Sequence, residues 1–298
     1  MDELSCLAPA KVNLYLKVLG RRPDGYHEIL SLFQMVSLYD TLNICSLKKK
    51  NALQLEGNFD CSARENLIFQ AVEIFRRETG INHGWRIIVE KRIPAGAGLG
   101  GGSSDGATTL SVLNTLCKNP LRPDQLIKLG LALGSDVPFF LAAPAACIGG
   151  RGDQIQPLVP RTDINLVIIY PGFKINTAAA YRWLNIKKLI NPGTFESGVN
   201  AGKIIKMYRY NPVNRWKLEN TFTAAIEGRF PQISRLRKEL KELGALYSGL
   251  SGSGPTVFAI FDRHSTAKRA ESILTSCYTL VKNIHALDKI PVGILKYM

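Results

Sequence analysis

Between residues 11 and 18 apolar and polar side chains alternate strictly, with Val12, Leu14, Leu16 and Val18 set against Lys11, Asn13, Tyr15 and Lys17. Successive side chains on a strand point to opposite faces, so the pattern predicts a half-buried strand with one polar face. A period near 3.6 takes over at Asn66–Gly80. There Leu67, Ala71, Ile74 and Phe75 form one stripe, Asn66 stands at the start and Gly80 at the stop, which predicts a helix. Trp85–Lys91 reads as a strand and Pro94–Gly102 as a glycine-rich loop. Ser103–Cys117 reads as a helix with Ala107, Leu110, Leu113 and Cys117 on one side.

Further along, Leu126–Leu133 is a short helix ended by Gly134, and Leu166–Tyr170 a buried strand stopped by Pro171-Gly172. Thr177 is placed to cap a helix carrying Ala180, Tyr181 and Leu184. Gln232–Leu243 and Ser265–Leu274 read as helices, Thr256–Phe261 as a strand, and Thr279–Lys282 as the start of another. Lys187–Arg215 is basic, mixed and turn-rich. Strands and helices intermix without a regular βαβα rhythm, which predicts an α+β fold. A chain of 298 residues suits two domains. The Gly149-Gly150-Arg151-Gly152 run and Pro157 and Pro160 favour a division into 1–158 and 159–298.

A hydrophobic share of 46% and a charged share of 21% exclude a disordered or fibrous chain. Lysine and arginine outnumber acids 38 to 24, for a net charge of +14. That excess suits a polyanionic partner: a nucleic acid, an acidic membrane face or a phosphorylated small molecule. The most apolar stretch, Val137–Ile148, is broken by Pro138 and Pro144 and falls short of the roughly 20 residues a bilayer span needs. The start, MDELSCLAPAK, has no apolar signal core. A cytoplasmic protein without membrane partners is expected. The six cysteines make no Cys-x-x-Cys and the four histidines lie far apart, so reduced thiols are expected and no metal residue is assigned.

The segment with the most chemistry is Pro94, Ala95, Gly96, Ala97, Gly98, Leu99, Gly100, Gly101, Gly102, Ser103 and Ser104. Its five glycines leave main-chain N–H groups unshielded, and a helix start behind them adds unpaired N–H groups with partial positive charge; together they make a cradle for phosphate. The two serines can cap the helix or donate to phosphate or metal. No lysine follows the glycines, so this is no Walker A loop, and the Gly96-x-Gly98-x-x-Gly101 spacing follows too charged a strand for a dinucleotide fold.

At this loop the chain resembles the GHMP kinases, a superfamily of small-molecule kinases. The early Pro9-Ala10-Lys11-Val12-Asn13 strand and the late turn Ser248-Gly249-Leu250-Ser251-Gly252-Ser253-Gly254-Pro255 match its two other motifs, in order, over nearly the whole length. Arg22-Pro23-Asp24-Gly25-Tyr26-His27 and Gly134-Ser135-Asp136-Val137-Pro138-Phe139-Phe140 narrow the resemblance to the branch whose substrate carries a cytidine diphosphate group. The resemblance implies a two-domain fold with the active-site cleft between the domains and transfer of the γ-phosphate of ATP to an alcohol. It implies Mg²⁺ held mainly by the ATP phosphates and no obligate protein partner.

By that resemblance Asp136 is the general base and Lys11 stabilises charge on the attacking oxygen. Read locally, Ser135-Asp136-Val137-Pro138 is rather a helix start with Asp136 as its cap, and it is the resemblance that favours the base. Asn13 shares the face of Lys11 and is assigned to the substrate. Asn66 and Lys91 are assigned to the adenine side, and Tyr26, His27 and Tyr181 to cytosine, which stacks on tyrosine and pairs along its polar edge. Tyr181 also reads as a core aromatic. Homoserine- or mevalonate-type kinases are the alternatives within the superfamily. Outside enzymes, a basic nucleic-acid-binding protein would fit the charge but leave both glycine loops unexplained, so no nucleic-acid partner is expected.

Overall fold

A computed structural model of the chain describes residues 3–184, 201–291 and 294–296. Two long strands, β1 (Glu3–Arg21) and β2 (His27–Leu47), pair antiparallel around the Arg22–Tyr26 turn. On the far edge of β2 lies β4 (Gly84–Glu90), which pairs in parallel with β3 (Leu53–Gly57). The inner half of β2 also pairs with β5 (Ala145–Gly149), which continues to β6 (Gln154–Pro157). The final strand, β11 (Ile294–Lys296), returns to the start of β1. The second sheet runs β10 (Leu280–His285), β7 (Asn165–Tyr170), β9 (Val257–Phe261), β8 (Tyr247–Leu250), all antiparallel. This is the α+β fold that the intermixed pattern predicts.

Helices cover these sheets. The first, α1 (Leu67–Thr79), starts where the Asn66 side chain accepts from the Ile68 N–H and stops at Gly80 in a left-handed conformation. After it come α2 (Gly101–Leu116), α3 (Pro123–Leu133), α4 (Val137–Ala142) and α5 (Thr177–Trp183). The α5 cap is Asn176, accepting from the Ala179 N–H, rather than Thr177. The rest are α6 (Ala201–Tyr210), α7 (Thr223–Arg229), α8 (Pro231–Glu242) and α9 (His264–Leu274). Of the basic stretch Lys187–Arg215, residues 201–210 form α6 and 213–215 a 3₁₀ turn; the part before 201 lies outside the described residues. Among the described residues no helix is long and apolar enough to cross a membrane, and all six cysteines are free.

One expectation fails instructively. The polar face is not a solvated one over residues 11–15: Lys11, Asn13 and Tyr15 are all nearly inaccessible, and only Lys17 is partly exposed, paired with Glu219. The pairing of β1 with β2 shifts register between Asn13 and Tyr15, so Leu14 is bulged. A bulge puts two consecutive residues opposite one partner and resets the alternation. Tyr15 therefore leaves the face of Lys11 and Asn13 and joins Val12 and Leu14 in the apolar core. That core also holds Leu166 and Ile168 of β7 and Phe258 and Ile260 of β9, so the two sheets share one apolar interior. Main-chain bonds from Leu16 N–H to Glu219 and from Thr221 N–H to Leu16 stitch β1 to the second half.

Candidate active site

The loop that links β4 to α2 lies where β1, the start of α4 and the Ser251–Thr256 turn converge. Gly98 (φ 80°) and Gly100 (φ 74°) both lie in the left-handed region that favours glycine. Each also needs its missing side chain. A Cβ on Gly98 would stand 2.2 Å from the Ser251 carbonyl oxygen, and one on Gly100 would meet Phe140 at 3.0 Å and the Lys11 stem at 3.2 Å. The late turn locks onto the loop from the other side: the Ser251 hydroxyl donates to the Gly98 carbonyl at 2.8 Å, and Thr256 N–H donates to Ala97 at 3.3 Å. Gly98→Ala is accordingly expected to lower the melting temperature by several degrees, since a left-handed L-residue costs about 1–2 kcal/mol before any clash. Gly102, where a Cβ would meet nothing, is the control; a thermal melt of Gly102→Ala at or above wild type, with Gly98→Ala well below, checks the contrast.

The helix behind the loop begins earlier than its sequence predicts. Gly100 occupies the cap position and Gly101 and Gly102 the first turn, so neither serine caps it. Ser103 lines the cavity, whereas Ser104 is buried outside its lining, its hydroxyl without a hydrogen-bond partner. Leu99 also departs from the assigned wall: its side chain is in the core, and its carbonyl accepts from the Lys11 N–H at 2.9 Å. The loop's remaining assigned residues, Pro94 to Gly98 and Gly100 to Ser103, line one cavity of about 630 Å³ together with Lys11, Asn13, Asn66, Lys91, Asp136 and Tyr181.

Two sequence-distant residues meet in this cavity. Lys11 Nζ stands 3.4 Å from Asp136 Oδ2, donates to Asn13 Oδ1 at 2.6 Å and lies 4.5 Å from the centre of the Phe33 ring. Asp136 does occupy the cap position of α4, but its side chain makes no capping hydrogen bond; the carboxylate is turned to the buried ammonium instead. Asn13 is held by its neighbours: its amide donates to Ser31 Oγ at 3.1 Å, and Ser31 in turn donates to the Tyr15 carbonyl. A partly exposed carboxylate beside a fixed buried cation, facing a glycine cradle, can accept a proton from an alcohol and steady the oxygen left behind.

Asn66 and Lys91 reach the cavity wall with the Asn66 Oδ1 and the Lys91 ammonium already engaged. Asn66 caps α1. The Lys91 ammonium bridges Asp40 and Asp105, the latter at 2.6 Å. Of the aromatic candidates, His27 stacks on Tyr181 with ring centres 4.2 Å apart and planes 15° from parallel. Tyr181 also meets Phe222 edge-on at 5.0 Å. Burial, and next the charge of Arg21, holds the His27 imidazole below its ordinary value, so it is largely neutral at pH 7. Burial, with the nearby Asp136 charge, pushes the Tyr181 phenol up to about 12. Tyr26 is half-exposed, outside the cavity wall, with the Arg151 guanidinium over its ring at 4.9 Å.

Sequence reasoning left out Asp40, Asp105, Arg151 and Ser251 as site residues. Ser251 lies within a glycine turn that motif reading does single out. The other three are brought in by the fold, from β2, the first turns of α2 and the β5–β6 turn. Among the described residues no three histidine, cysteine or acidic side chains converge on a common point.

A glycine-cradled cavity lined by elements of both halves of the chain, with a lysine–carboxylate pair in its wall, defines a small-molecule kinase of the GHMP architecture. The chain belongs to the GHMP kinases. The family model for the GHMP kinases N terminal domain matches residues 66–143, and that for the GHMP kinases C terminal matches 206–280. The 4-diphosphocytidyl-2-C-methyl-D-erythritol kinase of Thermodesulfovibrio yellowstonii is 37% identical over 90% of this chain and 93% of its own length. The enzyme of the same name from Alkaliphilus metalliredigens is 35% identical over 93% and 94%. A crystal structure of 4-(cytidine 5'-diphospho)-2C-methyl-D-erythritol kinase superposes with a TM-score of 0.78 at 33% identity, covering 94% of this chain and 99% of that one. Homoserine kinase from Cytophaga hutchinsonii superposes with a TM-score of 0.77 at 19% identity, over 99% and 98%, a likeness of fold alone.

Proposed function

We propose that this chain transfers the γ-phosphate of ATP to the 2-hydroxyl of 4-diphosphocytidyl-2-C-methyl-D-erythritol, a step in the non-mevalonate route to isoprenoid precursors. The observation that carries this reading is the Lys11–Asp136 pair. The carboxylate is free of its capping duty, stands 3.4 Å from a buried ammonium, and shares one cavity with the glycine loop. The identity to two kinases of that name over nine-tenths of the chain selects the acceptor. Residues 1–158 and 159–298 are taken as the two domains.

The loop N–H groups and the start of α2 receive the phosphates. Asp136 accepts the proton of the acceptor hydroxyl, and Lys11 stabilises the oxygen as it attacks in line. Asn13, fixed between Lys11 and Ser31, keeps the ammonium aimed. Mg²⁺ travels with ATP as part of the substrate and neutralises phosphate charge. His27 and Tyr181, already stacked, present a flat apolar face with a polar edge to the cytosine ring. Tyr26, with Arg151 over its ring, is assigned to the outer rim of the same subsite, outside the cavity wall.

The test is purified protein with ATP and Mg²⁺ and, separately, the cytidine-diphosphate alcohol, homoserine or mevalonate. ADP release is expected with the first. Release with homoserine or mevalonate but not with the first would end the assignment of substrate while leaving the kinase class intact.

A further inference from the structure

Directly behind the glycine loop lies a buried cluster that the mechanism above does not use. Asp40 on β2 is inaccessible and spends Oδ1 on two main-chain donors, Arg92 N–H at 2.5 Å and Ile93 N–H at 2.8 Å. Through these residues β4 runs into the loop. Its Oδ2 accepts from Lys91, whose ammonium also holds Asp105 Oδ2 at 2.6 Å. Asp105 is the fifth residue of α2, the helix whose start closes the loop. A Cβ on Gly101, the first residue of that helix, would come within 3.4 Å of Asp40 Oδ2. The cluster thus ties together both stems of the loop: the strand that enters it and the helix that leaves it.

Its charges do not balance. One ammonium faces two carboxylates, and Asp105 Oδ1 is buried with no hydrogen-bond partner. The charged groups facing Asp105 are Lys91 from the end of β4 and Asp40 from β2. From α1 the apolar Leu67 packs at Gly106 beside it, and α2 supplies the positive end of its own dipole. Burial pushes the Asp105 carboxyl up to about 7, against the pull of Lys91 and with the push of Asp40.

On the reading of this loop as the cradle for ATP phosphates, we propose that Asp40, Lys91 and Asp105 are positioning residues for the nucleotide, and that phosphate entering the loop makes Asp105 take up a proton from solvent. Asp105 lies about 6 Å along the helix axis from its start, at about 1.5 Å per residue. A phosphate charge just beyond that start, roughly 9 Å away at an effective dielectric near 20, raises a carboxyl pKa by about one unit. The bare Asp105 Oδ1 is where the proton goes. Neutralising it removes the net negative charge behind the phosphates, with Asp40 still holding the strand and Lys91 still bridging to the helix. Nucleotide affinity therefore falls as pH rises through neutrality, because binding takes up protons that are scarcer there.

The experiment is calorimetric titration of the full chain with ADP at pH 7 in two buffers of different ionisation enthalpy, for wild type and the near-isosteric Asp105→Asn. Wild type is expected to take up roughly 0.4 proton per ADP more than the variant, the share left by a pKa near 7 that rises by about one unit. The nucleotide's own titration is common to both and cancels. Equal proton counts would overturn the proposal while the site reading stands; no binding of ADP to wild type would take down both. Should the variant not fold, carbon-13 NMR of the wild-type Asp105 carboxyl across pH, with and without ADP, decides the matter. A pKa that rises on ADP binding supports the coupling, and an unmoved one refutes it. A merely structural cluster would move neither readout.

Discussion

Asp136→Asn is expected to lose turnover by about 10²–10⁴-fold, the usual worth of a positioned general base, while ADP still binds. The substitution keeps the shape of the side chain and removes its ability to take a proton. Because Asp136 makes no capping hydrogen bond to α4, the helix loses nothing it was using. The glycine cradle is formed by main-chain groups of residues 94–102 and by the turn that Ser251 locks onto it, and none of these contacts involves Asp136. Chemistry and nucleotide binding therefore separate in this variant. Steady-state assays beside an ADP titration check it: turnover within a few-fold of wild type would remove Asp136 from the role of base.

Lys11 gives the second large effect, with a different signature. Its ammonium is almost wholly buried, and Asp136, the Asn13 amide oxygen and the Phe33 ring are arranged around it. Lys11→Met keeps the unbranched stem that packs against Gly100 and removes the charge. The expected loss in kcat is about 10²–10³-fold, the range seen when a preorganised electrostatic contact to the transition state is deleted. KM for ATP should change less, because the loop main chain, not the ammonium, cradles the phosphates. Lys11→Ala should lose as much turnover and, in addition, melt earlier, since truncating the stem opens a gap between Phe33 and the loop. Comparing the two variants by kcat and by thermal melt separates charge from packing. An unchanged kcat in Lys11→Met would count against the electrostatic role.

Much of the helical framework is legible from periodicity and punctuation. Asn66 and Gly80 bracket α1 because a side-chain oxygen can serve the first free N–H and a glycine can turn left-handed at the last carbonyl; these are local events needing no partner. The strand β2 is less visible, although residues 36–44 alternate buried and half-buried. Its inner half is buried on both faces, which erases the period-two signal that a half-buried strand shows. The bulge at Leu14 is invisible from pattern alone, and it decides that Tyr15 goes to the core while Lys11 and Asn13 stay at the site.

For the site, the chain by itself determined the residue types and the loop: a glycine run between strand and helix, a lysine two residues before an asparagine, a carboxylate before Val-Pro. Those are local, and a phosphate cradle is made of neighbouring main-chain groups. Only the tertiary structure decided which alternative each side chain follows. Asp136 turns from its cap to a lysine 125 residues earlier in the chain, Lys91 is claimed by Asp40 and Asp105, and Leu99 and Ser104 are buried outside the cavity lining. A buried charge must find its partner wherever the fold places one, and pairing across such sequence separations leaves no period or spacing to read.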